Sequence, residues 1–445
     1  MRDFTAFVTW PSDHINGLIR EALKDISEPQ KLSSTEPDEN SDPGYLLQWA
    51  TYDSLVHSLT LEYPTKVLSS SYTIRKALIR KHFLHRTVVN YLAKSPGSIL
   101  KQAIPRTWPI EISFADELDE LWNDELYDLS DELEKEDKWF ILKPGMADRG
   151  QGIRIFNSRE SLYAIFESFD EDSDSDDEGE GEDASSEHNE KTAVMTSQLR
   201  HFVIQEYLNT PLLVDPAQRK SSSTQSPQST ELQGRKFHLR VYCVASGALK
   251  LYMCPNILAL FAGTTYTQPQ PSPDNDPNKV DLAPHLTNTS LQDDVHESSV
   301  RLLRELIGCT ILSGPSANNM SLSTQDVSKI EDQVAEILGE TFKAALASSI
   351  HFQVLPNAFE LFGADLLVTH TAENESPDFQ VSLLEINAEP AIELTGARLN
   401  WILVDLFKGI SQSCIKPFFG DSTSTTQASN YLLRKCLDVE ARGYR

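Results

Sequence analysis

Cysteine is scarce and scattered in this chain. Its 445 residues hold five, Cys243, Cys254, Cys309, Cys414 and Cys436, with no CxxC pair. That spacing excludes a disulfide-stapled domain and a paired-thiolate zinc site, and it points to free thiols in a reducing compartment. No apolar run approaches the ~20 residues of a membrane-spanning helix. The most apolar stretch, residues 251–263, is interrupted by Pro255 and Asn256. The opening MRDFTAFVTW lacks a signal-peptide layout, so the expected setting is cytoplasmic or nucleoplasmic. Positive charge is in deficit, 39 Lys and Arg against 66 Asp and Glu for a net −27. This argues against a general electrostatic grip on nucleic acid. Internal repeats are absent, as is a GxSxG nucleophile context, so His238, Cys243 and Ser246 do not read as a hydrolytic set.

What is present is length enough for a substantial core and two or three structural units. Residues 170–190 contain twelve acids and no Lys or Arg, which leaves about −15 on the rest of the chain. Such a tract buries too little apolar surface to fold, and disorder is expected over 170–192. Two further tracts rich in Ser, Gln, Pro or Asn, residues 216–234 and 268–280, read as flexible insertions. All three fall between element patterns, as expected of one folded body with surface insertions.

The element pattern begins with a strand at residues 4–10 and a helix over 15–26. An amphipathic helix follows over 73–93, then helix-compatible acidic sequence over 114–137. A hairpin with a glycine-rich tip spans 139–156, and a helix covers 159–169. HFVIQEYL and GRKFHLRVYCVA read as strands, with LKLYMCPNILALFA pairing to the second. Helices are expected over 295–307 and 326–352, then two acidic strands and a closing helix over 399–410. The resulting division is a small α/β unit at 1–65, a central unit at 66–208, a C-terminal unit at 209–420 and a tail at 421–445.

Chemistry concentrates in the acidic strands. In VSLLEINAEP, Glu385 and Asn387 lie two apart on a β-branched strand and so share a face. Asp365, in FELFGADLLV about twenty residues upstream, supplies a third hard oxygen. A carboxylate pair with an amide suits Mg²⁺, which keeps water and phosphate ligands besides. A single acid at a strand end is commonly just solvated. Three oxygen ligands on two apolar strands, two of them ionised, need a charged partner.

Cations are available. Lys143 precedes the loop PGMADRGQG, whose Gly145, Gly150 and Gly152 can expose N–H groups to anionic oxygens, with Arg149 beside them. An ordinary hairpin turn would look similar without the flanking charges. Alternation puts Lys236, His238 and Arg240 on one strand face and Phe237, Leu239 and Val241 on the other. The basic row then faces either solvent or a cleft, and opposite an acidic Mg²⁺ face it suits a nucleoside triphosphate. Gln205, Glu206, Tyr207 and Leu208 can line an adenine slot, by backbone pairing to the base edge and by packing of Tyr207 or Leu208. Thr287 and Asn288 either contact phosphate or ribose oxygens or cap the next helix.

In this order, LKPGMADRGQGIRIF, VIQEYLNTPLLVD, GRKFHLRVYCVA, HLTN, FGADLLV and LLEINAEPA resemble the tubulin-tyrosine ligase family, a branch of the ATP-grasp enzymes. The resemblance implies an α+β ATP-grasp fold with antiparallel or mixed sheets, flanking helices and disordered insertions. It implies ATP and Mg²⁺ as cofactors and a ligase that phosphorylates a protein carboxylate and joins it to an amine through an acyl phosphate. Lys143 and Lys236 become phosphate ligands, Arg149, Gly150 and Gly152 the covering loop, and Gln205 to Leu208 the adenine hinge. His238, Thr287 and Asn288 become further nucleotide contacts, Asp365, Glu385 and Asn387 the metal ligands, Arg240 a support of the acyl-phosphate step, and Lys81 an N-terminal nucleotide or substrate contact. Two departures stand out. His238 replaces an acid, and MCPNILALF lacks the arginine that the family presents to an acidic tail. On a strongly negative surface the second change predicts weak capture of a tubulin tail. A competing reading is a non-catalytic ATP-binding interaction protein, with Ser173 and Ser175 in the acidic tract as modification sites.

Overall fold

The computed structural model describes residues 2–439 except 27–28, 30, 136, 147–149, 175–199, 219–230, 272–275, 288–298, 316, 372–377 and 421–431. Three sheets organise the chain. The first is parallel and N-terminal, β1 (Thr5–Thr9), β2 (Lys31–Ser33), β3 (Leu46–Ala50) and β4 (Val67–Ser69) in the order β2-β1-β3-β4. The second, order β5-β8-β6-β7, is antiparallel and comprises β5 (Thr107–Glu111), β6 (Phe140–Pro144), β7 (Arg154–Phe156) and β8 (His201–Glu206). The third holds β9 (Phe237–Ser246), β10 (Lys250–Met253), β11 (Leu258–Phe261), β12 (Val300–Leu302), β13 (Phe359–His370), β14 (Phe379–Ala388) and β15 (Arg434–Asp438). Antiparallel and parallel sheets with flanking helices make the chain α+β.

The third sheet carries both main cores. β9 is its axis. The sequence break at Pro255 and Asn256 lets β10 and β11 lie end to end along one edge of β9, while β13 pairs along the other. On one face, Leu239, Val241, Ala364 and Leu366 bury against the Thr324–Ala347 and Lys81–Leu92 helices. The long helix suits that role because Val327, Ile330, Val334, Ile337 and Leu338 recur at helical spacing, and Ser323 caps it through Asp326 N. On the other face, Tyr242, Val244 and Phe359 pack against the N-terminal unit and the Asn400–Ile410 helix. The central sheet has its own core with the Arg159–Asp174 helix.

Strand β14 contains the irregularity that matters most for function. Leu366 pairs with Leu383 but Asp365 pairs with Glu385, so Leu384 is an extra residue, a β-bulge. Before the bulge, Val381 and Leu383 point into the core; after it Ile386 does. The phase of the strand has slipped by one. Glu385 and Asn387 face away from that core for this reason.

Several sequence expectations are revised. The helix expected over 73–93 is two, Lys76–Ile79 and Lys81–Leu92, because Arg80 is extended (φ −111°, ψ 118°). In place of a helix over 295–307, β12 pairs with β11 and a 3-10 turn Leu303–Leu306 follows. There Leu303 N donates to Ile257 O and Leu302 N to Glu305, so the chain is tied to the sheet edge. The supposed tail at 421–445 contains β15, which pairs with β10 and buries Leu437. β4 extends the N-terminal sheet past residue 65. Most of the acidic tract 170–192, with Ser175, and the centres of the other two insertions lie outside the described residues.

At Gly363 of β13, a Cβ would lie 2.7 Å from Pro390 Cβ and 3.3 Å from Arg240 Cδ. Glycine there lets a proline ring and an arginine stem meet over the strand. Gly363→Ala should destabilise the protein by about 1–3 kcal/mol through overpacking, read as a lowered midpoint in urea with an unchanged slope.

Candidate functional site

A cleft of about 840 Å³ opens between the central sheet and the third sheet. Its floor is the face of β9, β13 and β14 exposed by their shared register. Arg240 stands opposite Asp365 and Asp365 opposite Glu385, so three neighbouring strands bring three charged side chains side by side. The basic and acidic rows therefore do not confront each other across the cleft, as the sequence pattern suggested. They are adjacent rows of one sheet, and the facing wall comes from β6 and β8.

At the centre Arg240 grips Asp365 bidentately, Nε donating to Oδ1 at 2.5 Å and Nη2 to Oδ2 at 2.9 Å. Burial pushes the Asp365 carboxyl up, but Arg240 and His238 outweigh it and hold the group well below the usual carboxylate range. Arg240 is held firmly protonated by the same contact, against the cost of burial. Lys81 Nζ lies 3.1 Å from Glu385 Oε2. Burial also opposes ionisation of Glu385, yet Lys81 leads the groups that keep its carboxyl below its ordinary value. Because Arg80 breaks the helix, Lys81 begins a new one and reaches this carboxylate.

The third oxygen-bearing group, Asn387, donates Nδ2 to both Asp365 Oδ2 and Glu385 Oε1 at 3.2 Å. Half a turn of this amide would set its oxygen beside two carboxylates, an arrangement that requires a cation among them. No group of three or more His, Cys, Asp or Glu among the described residues could hold a metal ion. A cation here would rest on two carboxylates and one amide. That donor set fits Mg²⁺, which takes one or two carboxylates and completes its shell with water and phosphate, and ill fits zinc. With the amide so turned, Asp365 Oδ2, which also accepts from Arg240, has a second lone pair to offer.

Two buried lysines extend the positive field along the cleft. Lys143 Nζ donates to Gln205 Oε1 at 2.7 Å, and Gln205 in turn donates to Thr107. Lys236 Nζ donates to the Tyr207 hydroxyl at 3.1 Å and stands 4.4 Å from that ring's centroid. Burial drives both amines down, Lys143 to about 8 and Lys236 to about 7, and Lys143 adds repulsion at Lys236. Tyr207 contacts His285 Nδ1 at 3.0 Å. Its burial pushes the phenol well up, so the hydroxyl stays neutral. Tyr207 is thus a brace for Lys236 and is not free to pack on a base.

The proposed hinge is narrower than its four residues. Glu206 N donates to Arg106 O and Tyr207 N to Trp139 O. Leu208 N has no such backbone partner among the described residues. Ile141, Ile153, Leu286, Leu367 and Leu384 supply apolar lining that sequence reasoning did not single out. Leu367 was accessible as the residue two beyond Asp365 on the same strand face. Leu384 was not, since only the bulge turns it to the cleft.

His238 is buried with Nδ1 2.5 Å from Thr287 Oγ1 and Nε2 3.4 Å from Asp365 Oδ1. A proton on Nε2 faces the neighbouring carboxylate and leaves Nδ1 to accept from Thr287. The substitution of histidine for an acid replaces a second negative charge beside Asp365 with a donor. Gly150 and Gly152 have φ of +79° and +69°, the left-handed turn that glycine permits. Gly150 lines the cleft; Gly152 is not part of its lining. Arg240 and Asn387 border the cleft through Asp365 and Glu385. Arg149 and Asn288 lie outside the described residues.

Four cations, Lys81, Lys143, Lys236 and Arg240, and two anions, Asp365 and Glu385, thus converge in an otherwise acidic protein. That excess suits a polyphosphate whose charge is partly neutralised by a metal. The tubulin-tyrosine ligase family model matches residues 63–422. A probable tubulin-tyrosine ligase of Schizosaccharomyces pombe is 36% identical, over 98% of this chain and 98% of its own. The probable tubulin-tyrosine ligase PBY1 of Saccharomyces cerevisiae is also 36% identical, over 90% of this chain but only 50% of its own length. The crystal structure of the C-terminal domain of K. lactis Pby1, an ATP-grasp enzyme interacting with the mRNA decapping enzyme Dcp2, aligns over 99% of both chains with TM-score 0.66 and 29% identity.

Asp365→Ala should cost about 3–5 kcal/mol, because Arg240 is left buried without its partner. Chemical denaturation would detect it, and Asp365→Ala with Arg240→Met should recover part of the loss.

Proposed function

The chain belongs to the tubulin-tyrosine ligase family and has the ATP-grasp fold, and from that premise we propose an ATP- and Mg²⁺-dependent ligase that joins an amine to a protein carboxylate. The observation that carries the reading is the row Arg240, Asp365 and Glu385 across three adjacent strands, with Lys143 and Lys236 further along the same cleft. Nucleotide use follows from the fold.

In this scheme Leu208 N and the apolar lining hold the adenine, and Lys143 and Lys236 hold phosphate oxygens. Gly150 brings the loop against them. Asp365, Glu385 and Asn387 would hold Mg²⁺, which when bound neutralises phosphate charge and aligns the γ-phosphoryl group. A substrate carboxylate oxygen attacks the γ-phosphorus and ADP departs. The amine nitrogen then attacks the acyl carbon, losing a proton as phosphate leaves. Arg240 is placed to meet the charge on the phosphoryl oxygens, and most of the acceleration is positioning and electrostatic neutralisation. Glu385→Ala removes a metal ligand and the partner of Lys81.

A second reading, a nucleotide-binding interaction protein without ligase activity, draws on the K. lactis relative, described as interacting with Dcp2. Tubulin has no specific support as the acceptor. No helix among the described residues is long and apolar enough to cross a membrane, and a cytoplasmic setting remains part of the proposal.

Incorporation of labelled amino acids into lysate proteins should depend on ATP and fall at least a hundredfold in Glu385→Ala. Retention of Mg·ATP thermal stabilisation by wild type without any incorporation would favour the interaction reading. The lysines add a pH signature. Their amines sit near 7 and 8 in the free protein, and polyphosphate favours the charged form, so ATP binding should take up protons. Affinity should therefore weaken as pH rises through 7 to 9, by up to about tenfold per pH unit for each lysine recruited. Calorimetry in two buffers of different ionisation enthalpy measures the uptake, and Lys236→Met should reduce it.

A further inference from the structure

A buried polar chain leads from Lys236 to His285, a residue with no place among the phosphate or metal contacts. Lys236 Nζ donates to the Tyr207 hydroxyl at 3.1 Å, and that same hydroxyl lies 3.0 Å from His285 Nδ1. All three side chains are buried. They come from three parts of the chain: Lys236 precedes β9, Tyr207 follows β8, and His285 sits in the segment 281–287. That segment is held firmly. His285 N and Leu286 N both donate to Leu282 O, and two residues on Thr287 Oγ1 meets His238 Nδ1. The His285 ring stands nearly perpendicular to the rings of Tyr207 and Tyr266, at 5.6 and 5.8 Å. An imidazole so placed has little freedom to turn.

The hydrogen bonds have a direction. A hydroxyl has one proton to give and two lone pairs to offer, whereas an ammonium group only donates. Toward a charged Lys236, Tyr207 can therefore only accept. Its own proton has two other groups within reach, His285 Nδ1 and the hydroxyl of Tyr266, which itself donates to Asn209 O at 3.3 Å. Imidazole is the more basic of the two acceptors. Burial, and then the charge of Lys236, push His285 down to about 4 against a smaller pull from Asp281, so at neutral pH its ring keeps a free lone pair.

We propose that His285 is a positioning residue for Lys236: it takes the Tyr207 proton at Nδ1, carries its own on Nε2, and so keeps a lone pair of the tyrosine turned toward the lysine. Without that acceptor the Tyr207 proton can swing to Lys236, where it bonds only an uncharged amine. Lys236 would then lose its charge more readily, in a cleft where Lys143 already repels that charge. The inference rests on the nucleotide reading of the cleft and is independent of ligase activity.

The test is calorimetric titration of the full chain with Mg²⁺ and a non-hydrolysable ATP analogue at pH 6 and pH 8. Relative to wild type, His285→Leu should weaken binding about fivefold or more at pH 8 but less than about twofold at pH 6, where Lys236 is charged in both proteins. His285→Asn, whose amide oxygen can stand near the Nδ1 position, should recover most of the loss at pH 8. Tyr266→Phe should stay within about twofold of wild type at both pH values. Nitrogen NMR of labelled histidine in the wild type, assigned by the ring signals missing from His285→Asn, should show Nδ1 bare and Nε2 protonated. Equal losses at the two pH values in His285→Leu would reduce the residue to packing and overturn the assignment. So would a protonated Nδ1, a failure of asparagine to recover binding, or a Tyr266→Phe protein that reproduces the loss at pH 8. Wild type that binds no analogue at either pH would sink the nucleotide reading itself, whereas wild-type binding with no response to His285→Leu would sink only the role of His285.

Discussion

The buried pair of Arg240 and Asp365 is the constraint around which the site is arranged. It joins two adjacent strands of the main sheet, and its two parallel hydrogen bonds fix the orientation of a guanidinium and a carboxylate at once. An ion pair with little solvent contributes less to stability than its geometry suggests, because both charges were desolvated to make it. Its value here is positional. With Asp365 held by Arg240, the Asn387 amide and the Glu385 carboxylate have a fixed neighbour to align to, and Lys81 completes the row from another element.

The charge distribution gives this arrangement its context. A chain of net −27 gathers four cations around two anions in one cleft. An acidic exterior repels free polyphosphate at long range, while the cleft attracts it at short range, where salt screens less. The two lysines deepest in the cleft are kept poised by burial, and a phosphate that restores their charge gains a partner that water cannot supply.

Much of this was legible from residue order. The alternation Lys236, His238, Arg240 over Phe237, Leu239, Val241 gave both the strand and its two faces, and the spacing of Glu385 and Asn387 gave their common side. What residue order could not convey was strand neighbourhood. Period-two alternation says which residues share a face but not which strands adjoin, so the acidic and basic rows were expected opposite each other and not next to each other. Tyr207 misled for a related reason. An aromatic in an exit segment looks available to stack on a base until Lys236 and His285 occupy its hydroxyl. The strand β12 and the strand β15 were also hidden, since each is three to five residues long and held by pairing to a sheet edge rather than by its own pattern.

The extra residue at Leu384 has a consequence for how this gene can vary. Along β14 most single substitutions would be judged locally, each by the fit of one side chain. A change of length is judged differently, because every residue beyond the bulge inherits its orientation from it. Loss of one codon at Leu384 would leave a regular strand with Glu385 and Asn387 still on the cleft and Ile386 in the core, whereas drawing the bulge flat with Leu384 kept would turn both side chains into the core and deliver Ile386 to the cleft. What must be kept along this strand is therefore the place where the extra residue is absorbed, because that place decides the face every later side chain meets.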